Sequence, residues 1–177
     1  MPEPGTTALV IALPAAEPLL DAAKRVNPAL VRPGLIAHVT ALYPFLPGAE
    51  VTEDVERAVR ELAATLPPTR VRLTEIVTTP GFAAAPAPDL QPVTDAVCDR
   101  WPEVLPYGGR FGPRPGAHVT VAMGGTDAEL ARVAEEAGPL LPLTDDVETL
   151  QWVALTDQGW QVRLTAPFGS AAGTTAR

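Results

Sequence analysis

The sequence predicts an α+β protein of two pseudo-symmetric lobes, each an antiparallel sheet with helices packed on one side. One strand from each lobe is expected to face a central cleft. Three observations support this fold class. Hydrophobic residues make up 46% of the 177 residues, which is enough for a sizeable core. Strand-like and helical segments follow in a similar order in each half. The tripeptide His-Val-Thr occurs once in each half, at 38–40 and 118–120, and holds both of the chain's 2 histidines.

The first half contains a helical stripe between short apolar runs. Val55, Val59, Leu62 and Leu66 recur at helical spacing, and Pro67-Pro68 ends that helix. The apolar, β-branched run at 6–13 is a strand whose pairing with either half stays open. The remaining patterns follow the same rules of periodicity. The predicted elements are a strand at 6–13, a helix at 16–26, a strand at 35–43, a helix at 51–66, a strand at 70–79 and a short strand at 82–86.

The second half repeats the order of helix, His-Val-Thr strand, helix and further strands. Thr126 and Glu129 form a capping-box pair at the start of one helix, and Gly138-Pro139 interrupts it. Asp157-Gln158-Gly159 is a hairpin signal. The predicted elements are a helix at 90–101, a loop rich in Pro and Gly at 102–116, a strand at 117–124, a helix at 126–141 and strands at 147–156 and 160–168.

Composition limits the cellular context and the partners. We expect a single bilobal domain at 1–168 and a flexible C-terminal tail at 169–177, because the tail is small and polar. The net charge is −8 and Lys24 is the only lysine, so long nucleic acid is not expected as a partner. No apolar window approaches the roughly 18 residues of a membrane span. A cytoplasmic monomer without a membrane partner is therefore the expectation.

Each His-Val-Thr segment places an imidazole and a hydroxyl on one face of a strand. Residues i and i+2 share a face, so His38 lies with Thr40, and His118 with Thr120, about 7 Å apart along the chain. If both faces meet in one cleft, the set suits in-line cleavage of a phosphodiester. One histidine serves as base and the other as acid, because the reference pKa of the imidazole, about 6.5, permits either role. The hydroxyls donate to the nonbridging oxygens, and neither a metal nor another cofactor is required.

Other interpretations of the same residues remain open. A single histidine beside a threonine on an apolar strand is usually a satisfied, partly buried side chain. A zinc site would need carboxylates as further ligands, since no third histidine and no cysteine pair is present. Cys98, the only cysteine, lies among apolar neighbours at helical spacing and is expected to be a buried small hydrophobe.

The paired motifs resemble those of the two-histidine (2H) phosphoesterase superfamily, which includes 2′-5′ RNA ligase-like proteins and cyclic phosphodiesterases. "HVTALYPF" and "HVTVAM" match its duplicated His-x-Thr/Ser pattern at His38, Thr40, His118 and Thr120. "PYGGRF" at 106–111 is similar to a loop of the bacterial 2′-5′ RNA ligase-like branch, whereas Ala117 stands where members often have Pro. The resemblance covers roughly residues 6–168. It implies metal-independent hydrolysis of a small cyclic phosphate, or cleavage or joining of a 2′-5′ phosphodiester.

The sequence also offers candidates for binding such a substrate. Tyr43 follows the first motif, and Tyr107 lies in the Gly-rich loop, where either ring can stack on a base or pack in the core. Arg110 and Arg114 precede the second motif and are candidates for a phosphate or ribose contact, or else solvated loop charges. The leading prediction is a phosphoric diester hydrolase acting on a small nucleotide or RNA-end phosphodiester. The alternatives are a binding module that holds a nucleotide or phosphorylated metabolite without turnover, and a structural domain with its two imidazoles far apart.

Overall fold

The computed structural model describes residues 3–170 and shows an α+β fold in which all the strand pairs are antiparallel, as predicted. Residues 171–177 of the predicted flexible tail lie outside the described residues. The helices are α1 (Glu17–Val26), α2 (Glu53–Thr65), α3 (Gln91–Arg100) and α4 (Asp127–Ala137). The strands are β1 (Thr7–Ala12), β2 (His38–Leu42), β3 (Thr69–Leu73), β4 (Val77–Thr79), β5 (Phe82–Pro86), β6 (His118–Met123), β7 (Leu143–Val147), β8 (Thr149–Thr156) and β9 (Gly159–Pro167).

The main sheet contains strands from both halves of the chain. Its order is β4-β5-β6-β2-β1-β8-β9, and β3 and β7 form a separate two-stranded sheet. The expectation of one sheet per lobe is therefore corrected: the two halves join in one 7-stranded sheet, with β2 and β6 as direct neighbours. The strand at 6–13, whose pairing the sequence left open, lies between β2 and β8.

One face of the main sheet is covered by helices, and the other face is left for a cleft. Leu9, Ile11, Val39 and Val119 point to the helix side, where all four helices add buried side chains to the same hydrophobic cluster. On the opposite side, Val10 belongs to a small cluster with Ala8 and Val153, against which Tyr43 and Trp160 pack. This division gives β1 two apolar faces, which explains its uninterrupted hydrophobic run.

Residues 70–79, predicted as one strand, form two strands in different sheets. The two-residue alternation of Val71 and Leu73 ends before Ile76, so β3 stops at Leu73 and β4 begins at Val77. The sequence analysis also missed β7, because Asp145 and Asp146 interrupt its apolar pattern. These acidic residues pair across the small sheet with the basic strand β3, where Arg70 lies opposite Asp146.

Several local predictions are confirmed. The α4 capping box forms, since the Thr126 hydroxyl accepts from the Glu129 N–H and the Glu129 carboxylate accepts from the Thr126 N–H. β8 and β9 form the expected hairpin, which closes at the Thr156–Gly159 pair. Helices begin and end within a few residues of their predicted bounds. Among the helices of residues 3–170, none combines the length and the apolar character that crossing a bilayer requires.

Candidate active site

The two His-Val-Thr segments meet at the centre of the main sheet. β2 and β6 pair antiparallel with Val39 opposite Val119, and both valines are fully buried on the helix side. One step to either side of this pair, the antiparallel register places His38 opposite Thr120 and His118 opposite Thr40. Opposite Cβ atoms in such a ladder are about 4.5–5.5 Å apart and diagonal ones about 7–8 Å. The two imidazoles therefore occupy one diagonal of a four-residue square, and the two hydroxyls occupy the other.

A β-bulge follows each threonine. Ala41 has no partner on β1, because Val10 pairs with Thr40 and Leu9 pairs with Leu42. Val121 likewise has no partner on β5, since the neighbouring pairs join Ala84 to Thr120 and Ala83 to Ala122. Each bulge shifts the alternation of faces by one residue. After the first bulge Leu42 enters the core and Tyr43 reaches the cleft.

Both imidazoles make the same hydrogen bond to the backbone. His38 Nδ1 lies 2.7 Å from the Ile36 carbonyl oxygen, and His118 Nδ1 lies 2.7 Å from the Gly116 carbonyl oxygen. A carbonyl oxygen can only accept, so Nδ1 carries the proton in each ring and donates it. In the neutral form each ring therefore keeps an unprotonated Nε2, which is the atom left to exchange protons with a ligand.

The environment of His38 favours its neutral form. Burial lowers the pKa of His38 below its usual value, and the nearby His118 acts in the same direction. The bond to the Ile36 carbonyl and the charge of Glu17 oppose this by stabilising the imidazolium. That His118 acts on the pKa of His38 agrees with the placement of both rings in the same square.

The square opens into one cleft of about 1190 Å³. This volume slightly exceeds the range of about 300–1,000 Å³ that is typical of small-molecule sites. All the residues that the sequence proposed for catalysis and binding line it: His38, Thr40, Tyr43, Tyr107, Arg110, Arg114, His118 and Thr120. The wall also contains aromatic side chains that sequence reasoning did not propose, namely Phe82, Phe111 and Trp160.

Aromatic rings form a continuous row along one wall. The Tyr43 ring centroid lies 6.3 Å from that of Trp160 and 5.8 Å from that of Tyr107, and Tyr107 lies 5.4 Å from Phe111. Phe82 stands apart from this row and meets the His118 ring edge to face at 5.4 Å. Phe45, two residues after Tyr43, is buried against Trp101 instead. The row offers a flat ligand several apolar surfaces on which to stack.

Tyr107 is held in an unusual backbone conformation beside the square. Its φ of 52° lies in the left-handed region, which a tyrosine rarely adopts, and its N–H donates to the Tyr43 carbonyl oxygen at 2.6 Å. Burial raises the pKa of Tyr107, while a hydrogen bond with the Thr40 side chain acts in the opposite direction. Tyr107 therefore lies at the edge of the His-Thr square, on the side of Thr40.

The arginines at the cleft differ in how they are held. Arg114 forms ion pairs with Asp95 at 3.5 Å and with Asp99, both on α3, so its guanidinium is already partly engaged. Arg110 lies over the Phe111 ring, 5.2 Å from its centroid, and is exposed. Within residues 3–170 the structure shows no ion pair for Arg110.

Arg32 is a cleft residue that the sequence analysis missed. It lines the cleft and is exposed, and the described residues offer it no ion pair. A signal for it is present in the sequence, because Arg-Pro-Gly precedes Ala-His-Val-Thr in both halves. The first copy, at 32–40, contains Leu35 and Ile36 between Arg-Pro-Gly and Ala-His-Val-Thr. The second copy, at 114–120, lacks these two residues, so the match is easy to overlook.

Residues 3–170 contain no cluster of three or more His, Cys, Asp or Glu side chains that could hold a metal ion. Cys98 is buried as predicted, and its Sγ lies 3.8 Å from the Ala41 carbonyl oxygen. Burial raises the pKa of its thiol, and the neighbouring Asp95 adds to the effect. A thiol of this kind stays protonated and is a poor nucleophile.

Comparisons with known proteins agree with this architecture. The family model of the 2′-5′ RNA ligase superfamily matches residues 13–158. The protein TT0787 of Thermus thermophilus is 21% identical, with a TM-score of 0.65 over 93% of this chain and 98% of its own. E. coli LigT, solved in complex with 3′-AMP, is 18% identical, with a TM-score of 0.54 over 94% and 99%. A crystal structure of a phosphoesterase is 16% identical, with a TM-score of 0.57 over 94% and 99%. A search of curated proteins finds no match.

Proposed function

Because the chain belongs to the 2′-5′ RNA ligase superfamily, we propose that it is a metal-independent phosphodiesterase acting on a small cyclic or 2′-5′-linked nucleotide-type phosphodiester. The observation that carries this proposal is the His-Thr square on β2 and β6. Two imidazoles, each with Nε2 free, lie on one diagonal of this square, and two hydroxyls lie on the other.

The proposed reaction uses the diagonal of the square. A phosphate centred between the rings has one Nε2 on each side of phosphorus, as in-line displacement requires. For a cyclic phosphate, the first imidazole takes a proton from water while the water oxygen bonds to phosphorus. The bond from phosphorus to the ring oxygen breaks, and the second imidazole, protonated, gives its proton to that oxygen. The products are a phosphate monoester and a free hydroxyl, and which histidine plays which part depends on how the substrate lies.

The two threonines stabilise the charge that builds up during this step. Thr40 and Thr120 lie on the other diagonal, where their hydroxyls can donate to the nonbridging oxygens of the phosphate. The base, the acid and the donors are all side chains, so the proposed reaction proceeds without a bound metal.

The walls of the cleft are proposed to hold the nucleoside part of the substrate. Tyr43 and Tyr107 belong to the aromatic row and can stack on a base. Arg110 and Arg114 are proposed to contact phosphate or ribose oxygens, with Arg110 the less constrained of the two. The complex of LigT with 3′-AMP supports a ligand of nucleotide size in this fold.

The test is hydrolysis of the four 2′,3′-cyclic nucleotides by the purified protein in the presence of EDTA. We expect conversion to a nucleoside monophosphate in wild type, with large losses in His38→Ala and His118→Ala. Thermal melts of each variant check that the fold is intact. Binding of these nucleotides or of a 2′-5′ dinucleotide without any turnover would instead identify a nucleotide-binding module. Folded His→Ala proteins that retain wild-type turnover would refute the proposed roles of the histidines.

A further inference from the structure

The peptide group that precedes each histidine is held from both sides. The carbonyl of the Ile36–Ala37 peptide accepts from His38 Nδ1, and the N–H of the same peptide donates to Oε1 of Glu17. In the second half, the carbonyl of the peptide between residues 116 and 117 accepts from His118 Nδ1, and its N–H donates to Oε1 of Gln91 at 2.8 Å. Each imidazole is thus connected through one peptide group to the side chain of a distant helix.

Glu17 and Gln91 occupy the same position in the two halves. Each is the first residue of its helix, α1 or α3, is preceded by a short 3₁₀ turn and is followed by proline. The backbone around them is duplicated as well. The Ala37 carbonyl accepts from the Leu13 N–H and the Ala117 carbonyl from the Ala87 N–H, both at 2.8 Å. The shared pattern, Glu or Gln followed by Pro-x-x-Asp-Ala, is visible in the sequence at 17–22 and 91–96.

We propose that Glu17 and Gln91 are positioning residues that act on His38 and His118 through these peptide groups, and that their difference in charge makes the two imidazoles inequivalent. The catalytic consequence rests on the proposed function of the histidines as acid and base. The effect on the imidazoles themselves does not depend on it.

The physical basis is polarisation along the chain of hydrogen bonds. A carboxylate that accepts from the peptide N–H makes the carbonyl of that peptide a stronger acceptor, which strengthens its bond with Nδ1–H. The negative charge of Glu17 also stabilises the imidazolium of His38, in opposition to burial. Gln91 accepts from its peptide in the same way but adds no net charge. Its NH₂ group donates to Asp95 Oδ1 at 2.9 Å and to the Pro115 carbonyl at 3.2 Å, which fixes the orientation of the amide.

Other charged and titratable groups also face the histidines. On the walls of the cleft these are Arg32, Tyr43, Tyr107, Arg110 and Arg114. Asp95 lines a small separate pocket together with His118 and forms an ion pair with Arg114. Replacing Glu17 by glutamine leaves all of these in place, so the exchange isolates the charge of the one side chain.

The chain has 2 histidines, so a ¹⁵N NMR spectrum contains two sets of imidazole signals. The His118→Ala variant assigns them, because its spectrum keeps only the signals of His38. Glu17→Gln keeps an acceptor for the Ala37 N–H and should lower the pKa of His38 by about 0.5–1 unit. This is less than the 1–3 units of a directly contacting charge, because a peptide group intervenes. Both rings should remain protonated on Nδ1. Glu61→Gln, an exposed exchange on α2, is the control for the same change in net charge.

The kinetic readout is the pH profile of kcat/KM. In Glu17→Gln one limb of this profile should move to lower pH by the same amount as the pKa of His38 in the NMR titration. A merely structural defect would instead lower kcat/KM at every pH. If Glu17→Gln does not fold, Gln91→Ala tests the other half, where His118 should lose its preference for the proton on Nδ1 while His38 keeps its own. An unchanged pKa of His38 in folded Glu17→Gln, or a shift equal to that in Glu61→Gln, would overturn the inference. The expected NMR shift in a protein with no phosphodiesterase activity would retain the inference and reject the proposed function.

Discussion

The two threonines of the His-Thr square should contribute unequally to catalysis. The Tyr107 phenol lies beside the Thr40 side chain, and their interaction counters the effect of burial on the phenol pKa, whereas the neighbour of Thr120 on β5 is Ala84, which carries no donor. In the proposed reaction each threonine donates to a phosphate oxygen, and Thr→Val removes that donor while keeping the shape of the side chain. When Thr40 is replaced, the Tyr107 phenol can turn toward the same oxygen. No comparable substitute is at hand for Thr120.

The magnitudes follow from the strength of a hydrogen bond to a charged group. Such a bond is worth about 1.5–3 kcal/mol, and about 1.4 kcal/mol corresponds to tenfold in rate. Thr120→Val should therefore lower kcat/KM by roughly 10- to 150-fold. Thr40→Val should cost less than about tenfold, because the phenol replaces most of the lost interaction. The double variant Thr40→Val/Tyr107→Phe should fall into the range of Thr120→Val.

The assay is a double-mutant cycle of kcat/KM on the best 2′,3′-cyclic nucleotide at one pH. Thr165→Val, an exposed exchange on β9 of the same sheet, controls for the change in strand propensity. Melting temperatures exclude loss of fold as the cause. Equal losses in Thr40→Val and Thr120→Val, together with no coupling between Thr40 and Tyr107, would refute this reasoning.

Further outcomes are expected for the histidines and the arginines. His38→Ala and His118→Ala should each lower kcat/KM by about 10²–10⁴-fold, and together by less than the product, because acid and base serve one transition state; additive losses would contradict a shared step. Arg110→Ala should raise KM more than Arg114→Ala, because Arg114 is already paired with carboxylates of α3; the reverse order would assign the substrate contact to Arg114. Because the pKa of His38 is lowered in the folded protein, the unfolded chain takes up a proton at this residue at a higher pH than the folded one does. Folding stability should therefore fall as the pH drops from about 6.5 toward the pKa of His38 in the folded state. Between pH 7 and pH 5 the melting temperature of His38→Asn should decrease less than that of wild type. An equal loss in both proteins would place the relevant titration elsewhere.

The sequence predicted many of the residues that line the cleft, because they belong to local patterns. His38, Thr40 and their counterparts lie two residues apart on strands, and the period of a strand alone puts each pair on one face. The rarity of histidine then made the repeat visible. The sequence did not reveal that β2 and β6 are neighbours in one sheet, since strand order depends on packing between distant segments.

The bulges explain why Tyr43 was ambiguous. Regular alternation from His38 would place Leu42 in the cleft and Tyr43 with Val39 on the buried face. The unpaired Ala41 reverses this, and a bulge at an alanine leaves no distinctive sequence signal. β7 was missed for a different reason. Of its acidic residues, Asp146 lies opposite Arg70 of β3 and Asp145 accepts from the Ala15 N–H, and hydrophobic periodicity detects neither contact.

The continuity of the sheet across the Val39–Val119 pair has a consequence for how this protein can diversify. β2 and β6 form the floor of the cleft, and a half-turn about the Val39–Val119 pair exchanges His38 with His118 and Thr40 with Thr120. Each strand therefore offers a ligand one imidazole and one hydroxyl in the same arrangement. Two features break this symmetry. Beneath the floor, Glu17 supports His38 whereas the uncharged Gln91 supports His118. Around the floor, the two approaches differ in length and the aromatic row runs along one wall. Under the proposed function, changes in those loops should alter which orientation of the ester reacts while β2 and β6 stay as they are.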